Sequence, residues 1–214
     1  MRPRTVIRVV ASAVLGTCLV MLAAVTSTNF GLRLVNALSV SNASHAPTGW
    51  FIAGSKPTNY DAGVDQAAVN NGQPSAFLRS TVLNTEGFGT LMQSISATDY
   101  VGKRVRLRAW VKSQDVADWA GVWMRVDKEQ TAVAFDNMQN RAIKGTQSWR
   151  MYDVVLDVPP DATGISFGVL LSGTGEVWIN DLSFENVGNN VPVTAPSPQG
   201  SKSPNHPVNL KFTE

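Results

Sequence analysis

The stretch Lys103 to Lys112, K-R-V-R-L-R-A-W-V-K, alternates polar and apolar residues with a period of two, which no amphipathic helix produces. Val105, Leu107, Ala109 and Val111 fall on one face, and Arg104, Arg106, Arg108 and Trp110 on the other, as in a half-buried strand. Because each arginine is interleaved with a core-facing residue, the run reads as a solvated sheet face and not as a nucleic-acid stripe. The pattern recurs. Gly121 to Asp127 sets Val122, Met124 and Val126 against Trp123, Arg125 and Asp127, while Ile165, Phe167, Val169 and Leu171 alternate with Ser166, Gly168 and Leu170. Ser75–Ser80, Thr90–Ile95, Thr131–Phe135, Val154–Val158 and Glu176–Phe184 complete about eight strands. Turns are marked at Asn70-Asn71-Gly72, Glu86-Gly87, Val101-Gly102, Lys144-Gly145 and Pro159-Pro160-Asp161, and Ser172-Gly173-Thr174-Gly175 reads as a hairpin turn. The expected fold is all-β: a two-sheet antiparallel β-sandwich of jelly-roll type, preceded by an N-terminal membrane or signal helix.

That helix is predicted from Arg2, Arg4 and Arg8, succeeded by the uncharged run Val9 to Val25. As a helix the run would cover roughly 25 Å, between a long signal-peptide core and a short membrane span. Basic residues before it and none until Arg33 orient the remainder of the chain towards the outside of the cell, so the domain is predicted to be exported, membrane-anchored or secreted after cleavage. Apart from the four arginines before Val40, 14 basic residues face 16 acidic ones, and the balance implies no basic nucleic-acid face. The predicted organisation is a signal or anchor over 1–25, a Ser/Thr/Asn/Ala-rich spacer over 26–47, the jelly-roll domain over 48–187, and a disordered Pro/Ser-rich tail over 188–214.

Within the domain, Trp50, Gly72-Gln73-Pro74-Ser75-Ala76-Phe77-Leu78, Leu91-Met92-Gln93-Ser94-Ile95, Trp149 to Val158 and Val177-Trp178-Ile179-Asn180-Asp181-Leu182-Ser183-Phe184 succeed one another in an order that resembles carbohydrate-binding-module jelly rolls with a galactose-binding-like fold. A longer motif string, Trp119 to Asp127, Ala134 to Gln139 with Arg141 and Lys144-Gly145-Thr146, and Gly168 to Gly175, is similar to an uncharacterised bacterial domain. That domain occurs behind export signals or fused to helix-turn-helix transcriptional regulators. The resemblance implies the fold more firmly than any task.

Chemistry is constrained by scarcity. The chain has one cysteine, Cys18 in the apolar run, and two histidines, His45 and His206 in the flanks, which excludes a Ser-His-Asp or Cys-His arrangement inside the domain and a Cys/His zinc site. Asp115, Asp118, Asp127, Asp136 and Asp153 could supply a carboxylate pair for glycoside chemistry, but none sits in an assignable pattern. A non-catalytic ligand-binding module is expected, its ligand a small molecule or a glycan. Saccharides are held by aromatic platforms and planar polar side chains, and Trp119, Trp123, Arg125, Asp127, Asn137, Gln139 and Arg141 supply both types. The competing interpretation has the tryptophans closing the sandwich and Arg125 pairing with Asp127 or Asp136. Resemblance to the carbohydrate modules implies one further candidate, Asp181 in the last strand, as a ligand to a structural calcium ion. The other function class is a structural or protein-interaction domain of a cell-envelope complex.

Overall fold

A computed structural model describes residues 46–194. The predicted membrane or signal helix and most of the predicted spacer and tail lie outside the described residues. Among the described residues no helix is long and apolar enough to cross a membrane.

Among the described residues nine antiparallel strands form one curled sheet: β1 (Phe51–Gly54), β2 (Tyr60–Asn70), β3 (Gln73–Ser80), β4 (Phe88–Ser96), β5 (Arg104–Lys128), β6 (Thr131–Asp136), β7 (Ile143–Asp157), β8 (Gly164–Ser172) and β9 (Glu176–Val187). Two short 3-10 turns, Pro57–Asn59 and Gln139–Arg141, interrupt them. The curl packs two halves of the sheet against one core, consistent with a β-sandwich. In one half the order is β1-β4-β8-β5-β6, and in the other β7-β5-β9-β3-β2.

β5 belongs to both halves. Its first part, Arg104 to Gln114, pairs with β7 and β9, and its last part, Trp119 to Lys128, with β8 and β6. Sequence predicts two strands here, Lys103 to Lys112 and Gly121 to Asp127; they are one strand of 25 residues. The polar interval Ser113 to Asp118 bends without ending it, through register shifts against β7 and through Asp115 at φ 51°. Its neighbours bend in the same place. β6 and β7 run end to end along one edge of β5, and β8 and β9 run end to end along the other, so Ser172 to Gly175 is not the expected hairpin turn. It is the corner of a second bent ribbon, where Ala117 N donates to Thr174 O at 3.0 Å and a Cβ on Gly175 would lie 2.7 Å from Asp115 O. The expected turn at Lys144-Gly145 likewise falls inside β7, with Gly145 at φ 63°.

Alternation fills the interior as the sequence requires. Val105, Leu107, Ala109 and Val111 from the first part of β5, Val122, Met124 and Val126 from the last, and Ile165, Val169 and Leu171 from β8 are all buried in one cluster. On the outer face of the β7-β5-β9-β3-β2 half, each arginine of the alternating run meets a carboxylate on an adjacent strand. Arg104 forks onto Asp157 at 2.7 and 3.0 Å, Arg108 onto Asp153 at 2.7 and 2.8 Å, and Arg106 reaches Glu185 at 2.6 Å. Arg104 also donates to the carbonyls of Asn189 and Val191, while Thr194 exchanges hydrogen bonds with the Val155 backbone, so the segment after β9 is strapped to the sheet as far as Thr194.

Candidate functional site

The outer face of the half β1-β4-β8-β5-β6 carries a groove of about 490 Å³. It exists because of one residue. A transverse row of outward positions runs Phe51 (β1), Met92 (β4), Gly168 (β8) and Trp123 (β5), and the third member has no side chain. The Trp123 indole crosses β8 over that vacancy, and its Nε1 donates to Thr90 Oγ1 on β4 at 2.7 Å. Thr90 Oγ1 donates in turn to Val169 O at 2.9 Å. Glycine is also required by the strand spacing, since a Cβ at position 168 would lie 2.1 Å from Leu91 O. Phe88, Leu170 and Phe135 add to the walls, and Arg125 lines one rim.

Trp123 faces away from the core layer, as its strand phase predicts, but it is only 6% exposed. It forms the floor of the groove, where the sequence suggests a stacking platform. Among the described residues the exposed aromatics are Phe51 and Phe135, neither of them singled out by the sequence as a stacking platform. Phe135 packs on Trp123 with ring centroids 6.5 Å apart and stands directly opposite Arg125 in the ladder. Arg125 is half exposed, with Nε 2.9 Å from Asp127 Oδ1, so Asp127 holds the guanidinium at the rim.

Beyond Phe135 lies a second recess of about 360 Å³, lined by Phe135, Asp136, Asn137, Gln139 and Asn140. It is built by the turn that leaves β6. Met138 adopts the left-handed conformation at φ 63°, Met138 N donates to Asp136 Oδ1, and Gln139 N donates to Asn137 Oδ1. These bonds leave the amide groups of Asn137, Gln139 and Asn140 along the rim. Arg141 is engaged within the protein. It forks onto Asp136 at 2.6 and 3.0 Å and donates to Asp153 O. Burial pushes the Asp136 carboxyl up, but hydrogen bonds from Arg141, Thr194 and Met138 N outweigh it and hold the group below the usual carboxylate range. Trp119 is half-buried at the bend of β5, opposite Ser172, and lines neither recess.

The remaining candidates occupy different ground. Asp181 sits in a bulge of β9 at φ 49°, exposed, and accepts from Asn71 Nδ2 at 3.3 Å beside a third recess of about 380 Å³. No group of three or more His, Cys, Asp or Glu side chains converges among the described residues, so any cation at Asp181 would depend on carbonyl and amide oxygens. Among the acids considered for glycoside chemistry, Asp127, Asp136 and Asp153 are each ion-paired to an arginine. Asp115 and Asp118 lie at the bend of β5.

No protein-family model matches the chain. It is 44% identical over 168 residues to the uncharacterized HTH-type transcriptional regulator YbfP of Bacillus subtilis (strain 168), a match that covers 78% of this chain and 57% of that protein. The chain thus spans little more than half the length of this relative, whose kind is the one the motif string around Trp119–Asp127 implied. In structure the chain resembles the enzymatically active domain of tailspike protein 4 from bacteriophage CBA120, with a TM-score of 0.51 at 18% identity over 70% of this chain and 21% of that one. It is also similar to the CBM22-1 xylan-binding domain of Xyn10C from Paenibacillus barcinonensis, with a TM-score of 0.47 at 17% identity over 69% of this chain and 91% of the domain. At such identities, what the tailspike likeness shows is the fold.

Proposed function

We propose that this domain is a non-catalytic ligand-binding module of jelly-roll type, and that a saccharide seated on the outer face of the β1-β4-β8-β5-β6 half is its ligand. The observation that carries the reading is the groove itself, lined by Trp123 and Arg125 and continued past Phe135 into the amide recess of Asn137 and Gln139. A domain serving only as scaffold would favour a flat exposed patch over a recessed floor. Exposed Phe135 offers a face for the C–H surface of a pyranose, and the Arg125–Asp127 pair at the rim offers planar polar groups for hydroxyls. The acids speak against catalysis: those nearest the groove are neutralised by arginine and hold side chains in place.

A glycan array probed with the chain tests the reading. Binding that is lost in Arg125→Ala and Phe135→Ala supports it, and an array without signal, or binding indifferent to both changes, overturns it. The proposal includes export of the domain, with Arg2, Arg4 and Arg8 preceding Val9 to Val25. A reporter active only outside the cytoplasm, fused after Glu214, should give signal.

A further inference from the structure

Resting on that reading, we propose that the ligand is an amphiphilic glycoside whose sugar ring occupies the amide recess and whose apolar aglycone fills the groove. The division rests on what each compartment has left to offer. On the groove floor every polar side-chain atom is already used: Trp123 Nε1 is donated to Thr90 Oγ1, and the Thr90 hydroxyl to Val169 O. The rest of the groove is apolar apart from Arg125 at its rim, whose Nε is held by Asp127. A sugar lying face down on the floor would bury hydroxyls against groups that cannot answer them, at a cost for each unpaired hydroxyl. An alkyl or aryl group meets no such penalty.

Across Phe135 the chemistry reverses. Gln139 is exposed, and among the described residues its side chain has no hydrogen-bond partner. Asn137 and Asn140 each use Oδ1 internally, as acceptors from Gln139 N and Arg141 Nη1, which leaves their Nδ2 groups free to donate. Planar amides of this kind both donate to and accept from sugar hydroxyls. Phe135 walls both compartments, so a ligand with one polar and one apolar end bends over a single ring at the junction.

Calorimetric titration of the chain with hexyl, heptyl and octyl β-D-glucosides, each kept below its critical micelle concentration, tests the division. Affinity should rise roughly fourfold per added methylene until the groove is full, as burial of each methylene requires. Free glucose should bind far more weakly than octyl glucoside, and octanol likewise. Phe51→Ser, at an exposed position, should flatten the chain-length dependence, whereas Gln139→Ala should weaken all three glucosides by a similar factor. Unsubstituted oligosaccharides binding through groove residues with no gain from an alkyl chain would overturn the division and leave the saccharide reading standing. Alkyl chains binding equally well with and without the sugar would overturn both, as would no binding by any of these probes together with a silent glycan array.

Discussion

Each half of the sheet carries an outward tryptophan whose indole N–H is tied to a side chain on another strand: Trp123 to Thr90 in one half, Trp178 to Asp65 at 2.9 Å in the other. The two faces nevertheless end up opposite in character. Around Trp178 the surface is closed by charge. Lys112 lies over the indole, 4.6 Å from the ring centroid, Arg79 lies over Phe77 at 4.8 Å and pairs with Asp61, and the arginine ladder of β5 continues the cover. Around Trp123 the row contains a glycine instead of a long side chain, and a groove remains. The same anchoring device gives a sealed face or a grooved face depending on what stands beside it.

The sharpest way to break this comparison is to remove both indoles. Trp123→Ala and Trp178→Ala should each cost about 3 to 5 kcal/mol in denaturant unfolding, since both are buried. A negligible loss at Trp123 would mean that it acts as an open platform and not as a floor. Next, Gly168→Ala should cost about 1 to 3 kcal/mol by forcing β8 away from the backbone of β4, lowering the melting temperature by about 2 to 12 °C and weakening any groove ligand.

Two carboxylates, one beside each tryptophan face, respond to pH with opposite sign. Asp136, beside the groove, has its folded pKa depressed, so its contribution is present above the unfolded carboxylate pKa and is lost as pH falls through the folded one. Glu176, on the sealed face, has its folded pKa raised by burial, so the fold is favoured while it is protonated and that advantage is lost as pH rises through the raised value. Melting curves across acid pH should therefore show Asp136→Asn flattening the acid limb, and Glu176→Gln stabilising the neutral end. The smallest effect is expected from Arg108→Ala, a half-exposed pair worth at most about 1 kcal/mol, measured against Asp153→Ala in a double-mutant cycle.

Where alternation is strict, the sequence can be read directly. Val105 to Val111 and Val122 to Val126 point inward as their phase requires, and the all-β class rests on them. Where a partner strand sets the geometry, local pattern is silent. β1 has only Phe-Ile-Ala-Gly, and β2 buries Tyr60, Ala62 and Ala68 with a register shift between Asp65 and Asn70, so neither shows a period. The groove is half legible for the same reason. Strand phase identifies Trp123 and Arg125, but Phe51, Phe88, Met92 and Leu170 join them only through pairing between strands distant in sequence. Arg141 is ambiguous in the sequence because its partner Asp136 lies only five residues away, and composition cannot distinguish a ligand-seeking guanidinium from one already paired.

Because β5 runs through both halves, neither can open without the other losing an edge. The domain is therefore expected to behave as one cooperative unit in amide hydrogen exchange, with the slowest amides along β5 on both sides of its bend. A ligand that quiets the groove would then slow exchange in Arg104 to Lys112 as well, on a face it never touches. A single shared strand is thus the means by which a change on one face reaches the other.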